Sequence, residues 1–281
     1  MQTKVIKQKI KSVGSIKKIT KTMEMVSAAK MKKAIDNALT LRPFRMESQH
    51  ILEDIALDPL LSHPLLKHNH ATGEVVIIVS SNKGLCGAYN TNIYRKILEA
   101  YSEEERKNVK IIAIGKFAEK IAKRLHMEVL ASFNGSVFTE TEARVITKMI
   151  VPIYLTKDIG AVRLLYTHFS SASVFTPTLL KILPFESEGQ PDEIGDPIYS
   201  YEPDQGEVLT RLIPMILENV IAGAVLEAYA SEHSARMFAM KNATDNASEL
   251  QDELKLYYNR ARQDAVTQEI SEITAGAMAQ G

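Results

Sequence analysis

The chain has one cysteine, Cys86, among 281 residues, and no uninterrupted apolar run of 18 residues. A single thiol excludes an internal disulfide and a metal site made of cysteines alone, and it is typical of a reducing cytoplasm. The missing apolar run predicts that no transmembrane helix is present. The first residues carry lysine at every turn and lack an apolar segment, which does not fit a secretory signal.

Net charge is also missing, since 34 basic side chains balance 34 acidic ones. The balance is uneven along the chain. Residues 1–58 hold ten Lys and two Arg against six acidic groups, whereas residues 201–281 hold six basic and thirteen acidic groups. A nucleic-acid protein usually has an uncompensated basic region. Here the opposite charges of the two ends indicate that the ends meet.

Both ends are predicted to be long helices. The first has an apolar stripe at spacings of three and four, and Pro59 with Pro64 is predicted to end it; the stripe is Ile6, Ile10, Val13, Ile16, Ile19, Met23 and Val26. The last helix is predicted from about residue 207. Its 4-3-4-3-4 spacing is typical of a coiled-coil seam formed by Ala243, Ala247, Leu250, Leu254, Tyr257 and Ala261.

The middle of the chain predicts a separate α/β unit. Strands are expected at 75–79, 110–114, 128–133, 161–169 and 174–185, with helices after the first three. The last two strands should form a hairpin, and a helix over 140–156 should be interrupted at Pro152. The predicted fold class is α/β, with an antiparallel coiled coil of the terminal helices (residues 1–58 and 207–281) and a central Rossmann-like domain (70–200).

The turn from Gly84 to Asn90 follows a predicted strand, where phosphate-binding loops also occur. It lacks the spacing of a phosphate loop and of a dinucleotide fingerprint, so a tight βα turn is the preferred interpretation. Cys86 is either a packed thiol or a nucleophile activated by a helix N-terminus. No catalytic group and no cofactor are expected.

Two other clusters have competing interpretations. His63, His68 and His70 lie close together but match no zinc spacing, and are interpreted as solvated loop histidines rather than as a metal site. The lysines of residues 1–33 form a solvated face or dock on acidic partners, with phosphate contacts as the alternative. Polar residues crowd the last helix, as a solvated face or as a face buried against another protein.

Three separated motifs carry a family resemblance. They are IKSVGSIKKITKTMEMVSAAKMKKA (10–34), SSNKGLCGAYN (80–90) and ARMFAMKNATDNASEL (235–250), the last followed by LYYNRARQDAVTQEISEITAGA (256–277). With these motifs in this order, the chain resembles the gamma subunits of F-type ATP synthases over essentially its whole length.

The resemblance implies a non-catalytic rotor shaft. In that family the coil lies inside a hexamer of three alpha and three beta subunits, stands on the membrane ring of c subunits, and also contacts epsilon. Ion flow turns the shaft, which changes each beta site in turn. The implied protein is not a homo-oligomer, binds no nucleic acid and is peripheral to the cytoplasmic face of a bacterial inner membrane.

The resemblance also implies contact residues. Those matched to beta-subunit contacts are Met23, Lys83, Arg236, Arg262, Gln263, Thr267 and Glu269, and those matched to the c-ring and epsilon contacts are Tyr199, Tyr201 and Glu202. Two departures occur. Asn82 stands where an aspartate is common, and Asp264 adds a negative charge beside Gln263.

Two other functions remain open from the residues alone. One is an α/β nucleotide-binding enzyme with helical oligomerisation arms, which would need a ligand site at residues 84–90. The other is a coiled-coil nucleic-acid binder that uses the lysine-rich helix, with a steep salt dependence.

Overall fold

The structure, a computed structural model, describes residues 2–57, 63–135, 140–185, 202 and 204–279. Within these residues the α-helices are α1 (Gln2–Leu57), α2 (Tyr89–Ala100), α3 (Lys116–Arg124), α4 (Glu140–Leu155) and α5 (Gln205–Ala279). Contacts divide the chain into two compact units. The paired segment consists of residues 1–28 and 236–281, and the α/β unit consists of residues 29–235.

The α/β unit is built on a five-stranded sheet. In chain order the strands are β1 (Glu74–Val79), β2 (Val109–Ile114), β3 (Glu128–Phe133), β4 (Ala161–Phe169) and β5 (Phe175–Leu183). Their spatial order is β3-β2-β1-β4-β5, with all neighbours parallel except β4 and β5. The order is that of a Rossmann-like sheet with an antiparallel last strand. The predicted strands and hairpin are confirmed, with small shifts at the ends.

Helices cover both faces of the sheet. Alternate side chains of a strand point to opposite faces, so Ile77 packs in a core with α4 and α5, whereas Ile78 packs in a second core with α2 and α3. Both isoleucines are fully buried. A central strand buried on both faces must be apolar throughout, which is why the run after Glu74 was recognisable in the sequence.

The predicted interruption of α4 by proline was wrong. Pro152 lies inside α4, which continues to Leu155, and Pro43 likewise lies inside α1, which continues to Leu57. A proline in a helix interior costs about 3 kcal/mol, so packing must offset it. In α4 the buried Ile150 and Tyr154 flank Pro152 and belong to a core of the sheet.

In the paired segment α1 and α5 run antiparallel. Lys17 Nζ donates to Ser248 Oγ at 2.9 Å, and Thr244 Oγ1 donates to Thr20 Oγ1 at 2.8 Å, so the partner number falls as the α1 number rises. The predicted antiparallel pairing is therefore confirmed. It continues past Gly14, where an added Cβ would lie 3.0 Å from the Gln251 side-chain nitrogen.

The predicted seam was partly wrong. On α1 the side turned inward is Thr3, Ile6, Ile10, Val13, Lys17, Thr20, Glu24 and Ser27, and on α5 it is Met240, Thr244, Ala247, Gln251, Leu254, Tyr258 and Ala261. Both repeat at three and four, as a coiled coil requires. The expected Leu250 and Tyr257 are exposed, as are Ile16, Ile19 and Val26. At all of these except Tyr257, the next residue along the chain is polar and faces the partner helix instead.

One helix in the described residues, α5, is long and apolar enough by composition to cross a membrane. Half of its apolar window is already buried within the protein. Ile213, Leu217 and Ile221 are at most 2% exposed and pack in the core against the sheet. Packing against the sheet therefore accounts for the apolar composition of α5. The sequence prediction counted only uninterrupted apolar runs and so did not identify this helix as a candidate.

Candidate partner-binding surfaces

The paired segment leaves apolar side chains uncovered. Ile16, Ile19 and Val26 are each more than half exposed, and with the half-buried Met23 they follow spacings of three, four and three on one face of α1. Burying an isoleucine contributes about 1.5–3 kcal/mol relative to leaving it in water. A regular stripe of such residues, rather than scattered ones, marks a surface that another chain covers.

The end of α5 shows the same feature. Every side chain over residues 262–275 is exposed, and the apolar ones include Val266, Ile270 and Ile273 at spacings of four and three. Ile273 is 72% exposed. This stripe was not singled out from the sequence, although its heptad spacing is a signal that could have found it.

The residues matched to beta-subunit contacts lie in different settings. Arg262, Gln263, Thr267 and Glu269 are exposed on α5, and Lys83 is exposed in the turn before α2. Met23 is half-buried on α1. Arg236 is only 7% exposed, so most of its side chain is covered within the chain itself.

The residues matched to c-ring and epsilon contacts fall mostly outside the described part of the chain. Tyr199 and Tyr201 lie outside the described residues, whereas Glu202 is described and exposed. The departure Asn82 has a clear structural role. Its side-chain oxygen accepts from the backbone N–H of Lys116 at 3.1 Å, and its amide nitrogen donates to the carbonyl oxygen of Gly135 at 2.7 Å.

Six lysines line an open groove of the paired segment. The lining also includes Gly14, Thr244 and Gln251, and its basic members are Lys4, Lys7, Lys11, Lys17, Lys18 and Lys21. This concentration of positive charge suits contact with acidic groups. These lysines therefore lie on the surface of the paired segment. This position is compatible with a solvated face, with docking on acidic partners and with phosphate contacts.

The turn between β1 and α2 satisfies its own polar groups. Asn90 Oδ1 accepts from the N–H and the hydroxyl of Ser81, and its amide nitrogen lies 3.3 Å from Cys86 Sγ. Leu85 and Gly87 both have positive φ angles, of 62° and 57°. Gly87 tolerates this conformation without strain. The geometry agrees with a tight βα turn, and Cys86 is a packed thiol at 2% exposure.

The place where doubly wound proteins bind ligands is bridged by α5. Such ligands bind outside the carboxyl ends of the strands, where the strand order reverses, here between β1 and β4. Tyr89, the first residue of α2, donates its hydroxyl to the carbonyl oxygen of Ala228 at 3.2 Å. Ser231 Oγ donates to the carbonyl oxygen of Thr167 in β4 at 3.1 Å. Because α5 contacts both flanking elements, this edge of the sheet is engaged by the chain's own helix.

Buried charge accompanies this contact. Glu227 is 8% exposed and its Oε2 lies 2.7 Å from His168 Nδ1, and Glu232 is 6% exposed. Burial, reinforced by the negative charge of Glu232, raises the pKa of Tyr89 well above its usual value. Tyr89 is therefore a neutral donor at physiological pH, as its hydrogen bond to Ala228 requires.

The three clustered histidines lie on the connector before β1. His63 Nδ1 accepts from the N–H of Leu65 and caps a short 3-10 turn, Pro64–Leu66, while His68 and His70 are exposed. Burial lowers the pKa of His63. The solvated interpretation thus fits His68 and His70 but not His63. Among the described residues, no group of three His, Cys, Asp or Glu side chains is placed to hold a metal ion.

These features define a class of protein: a Rossmann-like unit whose terminal helices continue into a paired segment with uncovered apolar stripes, suited to assembly with other chains. A sequence profile described as ATP synthase matches residues 2–279. The chain is 37% identical to the ATP synthase gamma chain of Desulfitobacterium hafniense, covering 98% of this chain and 97% of that one. It is 40% identical to the gamma chain of Acidovorax sp. (strain JS42), covering 98% of each.

Solved structures show the same fold. A chain in the Euglena gracilis mitochondrial ATP synthase, solved as OSCP/F1/c-ring, matches with a TM-score of 0.74 at 18% identity, covering 99% of this chain and 94% of that one. A chain of the Tetrahymena thermophila central stalk and c-ring matches with a TM-score of 0.64 at 21% identity, covering 80% and 99%. The chain belongs to the ATP synthase gamma-chain family.

Proposed function

We propose that the chain is the central rotor shaft of an ATP synthase, coupling ion flow through a membrane c-ring to conformational change at catalytic sites on beta subunits. The observation that carries this function is the pair of uncovered apolar stripes on α1 and α5, in a member of the gamma-chain family. A shaft enclosed by partners must present such surfaces. An enzyme that worked alone would gain nothing from leaving them in water.

The coupling works through unequal contacts. A ligand or partner can shift an equilibrium only by the difference between its interactions with the two states. One shaft among three identical beta subunits presents a different face to each, for example the apolar stripe at Ile19 to one and the lysine groove at Lys11 to another. Turning the shaft then exchanges the faces, and each nucleotide site changes its affinity in sequence.

Particular residues are proposed to make these contacts. Exposed side chains on α5 and in the β1–α2 turn contact beta subunits directly, and they are Arg262, Gln263, Thr267, Glu269 and Lys83. Met23 contacts beta with its exposed part. The buried position of Arg236 favours a supporting role beneath that surface. Glu202, with Tyr199 and Tyr201, is proposed to contact the c-ring and epsilon.

The chain carries no catalytic group, because the nucleotide sites belong to its partners. It works as one copy with three alpha and three beta subunits and one epsilon, at the cytoplasmic face of a bacterial inner membrane. The coil is the paired segment, residues 1–28 and 236–281. The coil helices expected from the sequence, 1–58 and 207–281, extend beyond it, because residues 29–57 and 207–235 belong to the α/β unit together with the expected domain 70–200.

Reconstitution with alpha and beta subunits tests this function. We expect a purified complex with one copy of this chain to three alpha and three beta subunits, with higher ATPase activity than an alpha–beta mixture alone. The test variant is Ile19→Glu, which places a charge in the uncovered stripe and should reduce assembly relative to the parent chain. A chain that stays unbound, with unchanged ATPase activity of the mixture, would overturn the proposal.

A further inference from the structure

The part of the seam nearest to residue 28 is held by polar side chains. Thr20 is 8% exposed and Thr244 is 7% exposed, and their hydroxyl oxygens lie 2.8 Å apart. Thr244 Oγ1 also lies 2.8 Å from the carbonyl oxygen of Met240, and Thr20 Oγ1 lies 3.1 Å from that of Lys17. The two hydroxyls form one connected group across the helices, in a place where a coiled coil ordinarily has apolar residues.

Two further contacts continue this polar part of the seam. Lys17 Nζ donates to Ser248 Oγ at 2.9 Å, and the Gln251 side chain lies against Gly14, where a methyl group would be 3.0 Å from its nitrogen. The rest of the seam toward residue 3 is apolar on α1, with Ile6 and Ile10 turned inward. Apolar contacts are non-directional and specify alignment weakly. Fixing register is the best attested use of a buried polar residue in a coiled-coil seam.

Slipped alignments would bring like charges together. If α5 moved by one heptad, the residue opposite Lys17 would change from Ser248 to Lys255 or, in the other direction, to Lys241. The residue opposite Thr20 would then no longer be Thr244 but Gln251 or Met237. Both slips thus place two lysines opposite each other and separate the two hydroxyls. Of these three alignments, only the native one pairs hydroxyl with hydroxyl and ammonium with serine.

We propose that the Thr20–Thr244 and Lys17–Ser248 contacts form a register lock, which fixes the axial alignment of α1 against α5 and so positions the two outward stripes. These four are positioning residues, since they act through the surfaces that meet the partners. The inference rests on the proposed function for its effect on coupling. The lock itself is a property of the chain alone.

The axial alignment can be measured with two spin labels on the full chain. Ser12→Cys and Leu250→Cys place labels on exposed residues that line one groove of the paired segment, and Cys86, at 2% exposure, stays unlabelled. The variant is Thr20→Val with Thr244→Val, which keeps side-chain shape and removes both hydroxyls. The control is Thr22→Val, whose exposed hydroxyl donates to the carbonyl oxygen of Lys18 on the same helix.

We expect one narrow distance distribution in the parent and in the Thr22→Val control. A slip by one heptad moves α5 by about 10 Å along α1, the rise of seven helical residues. The double valine variant should therefore gain a second population at a different inter-label distance. Thr20→Ser with Thr244→Ser keeps both hydroxyls and should restore one population. An unchanged distribution in the double valine variant would overturn the lock, as would an equal change in the control.

A second variant, Lys17→Glu, tests the register lock if the double valine variant does not fold. Lys17→Glu converts the repulsion in both slipped alignments into attraction, without placing a new group in the apolar part of the seam. It should also give a displaced population, and a single native population would contradict the lock.

Measuring the effect of the register lock on coupling requires the whole enzyme in vesicles. There the double valine variant should hydrolyse ATP and pump fewer ions per ATP, with the serine pair restoring the ratio. Normal pumping per ATP by the double valine variant would contradict the link between the lock and coupling. If the distances change while the parent chain fails to assemble with its partners, the proposed function fails and the lock stands.

Discussion

Tyr89 donates its hydroxyl to the carbonyl oxygen of Ala228, which joins the first turn of α2 to α5 at 3.2 Å. The contact ties the last helix to the edge of the sheet at which a doubly wound protein would bind a ligand. In the turn beside this contact, the side chains of Ser81, Asn90 and Cys86 are hydrogen-bonded to one another. The polar groups at this edge therefore bind the chain's own turn and α5. The alternative of a nucleotide-binding enzyme, which the sequence left open, has no support here.

Removing the Tyr89 hydroxyl should weaken this attachment. Tyr89→Phe is expected to lower the free energy of unfolding by about 1–2 kcal/mol, the usual cost of losing a buried hydrogen bond. Chemical denaturation of the full chain measures it. Tyr257→Phe is the matched control, because Tyr257 is 59% exposed and should give no measurable change. Equal effects of the two substitutions would contradict the role given to Tyr89.

Stability should fall at alkaline pH. Burial raises the pKa of both Tyr89 and Tyr101 in the folded chain, and a hydrogen bond to Glu74 adds to the effect at Tyr101. A raised folded pKa contributes stability that is present below the unfolded value, about 10, and is lost as pH rises above it. Unfolding free energies measured from about pH 8 to 11.5 should decline above about pH 10. Tyr89→Phe with Tyr101→Phe should flatten that decline, and an unaltered slope would refute the assignment.

The uncovered stripe should matter to assembly and not to folding. Ile19→Gln changes a side chain that is 59% exposed, so the unfolding free energy of the chain should stay within about 0.5 kcal/mol. Binding to alpha and beta subunits should weaken about tenfold, since burial of an isoleucine is worth about 1.5–3 kcal/mol. Ile78→Ala removes a buried core side chain instead, and should lower the free energy of unfolding by about 2–5 kcal/mol. Unimpaired assembly of Ile19→Gln would remove the stripe from the interface.

Met23→Lys should impair coupling. The substitution places a cation where a half-buried apolar side chain lies beside the uncovered stripe. In vesicles containing the whole enzyme, fewer ions should be pumped per ATP hydrolysed. Met25→Lys is the comparison, because Met25 is 63% exposed and lies two residues away. Normal pumping per ATP by Met23→Lys would count against the contact.

Arg262→Ala should lower ATPase turnover of the assembled complex several-fold and leave the folding of the chain unchanged. Its guanidinium is exposed and can form charge-assisted, bidentate hydrogen bonds with a partner. Turnover and thermal unfolding would be measured side by side, with Arg260→Ala as the control. If turnover does not change, Arg262 is not a functional contact.

The sequence predicted the α/β unit better than the paired segment. Strands buried on both faces are continuous β-branched runs, as in β1, which begins one residue before the predicted 75–79. The strands β3 and β4 occur where they were expected. The paired segment holds two overlapping heptad repeats on α1, one through Ile16, Ile19 and Val26 and one through Lys17, Thr20 and Ser27. The sequence prediction placed the first repeat in the seam because its residues are apolar. In the structure the partner helix covers the second repeat. A sequence shows which face is apolar, but not whether its own chain or another covers it.

A rotor shaft must turn inside its partners, and we propose that this chain does so. The most direct measurement fixes an alpha–beta–chain complex to a surface through the beta subunits and follows a bead attached to an exposed residue of the α/β unit, such as Lys107. We expect ATP-driven rotation in one direction, advancing by a third of a turn for each of the three beta sites. ATP hydrolysis by the complex with a stationary bead would contradict it.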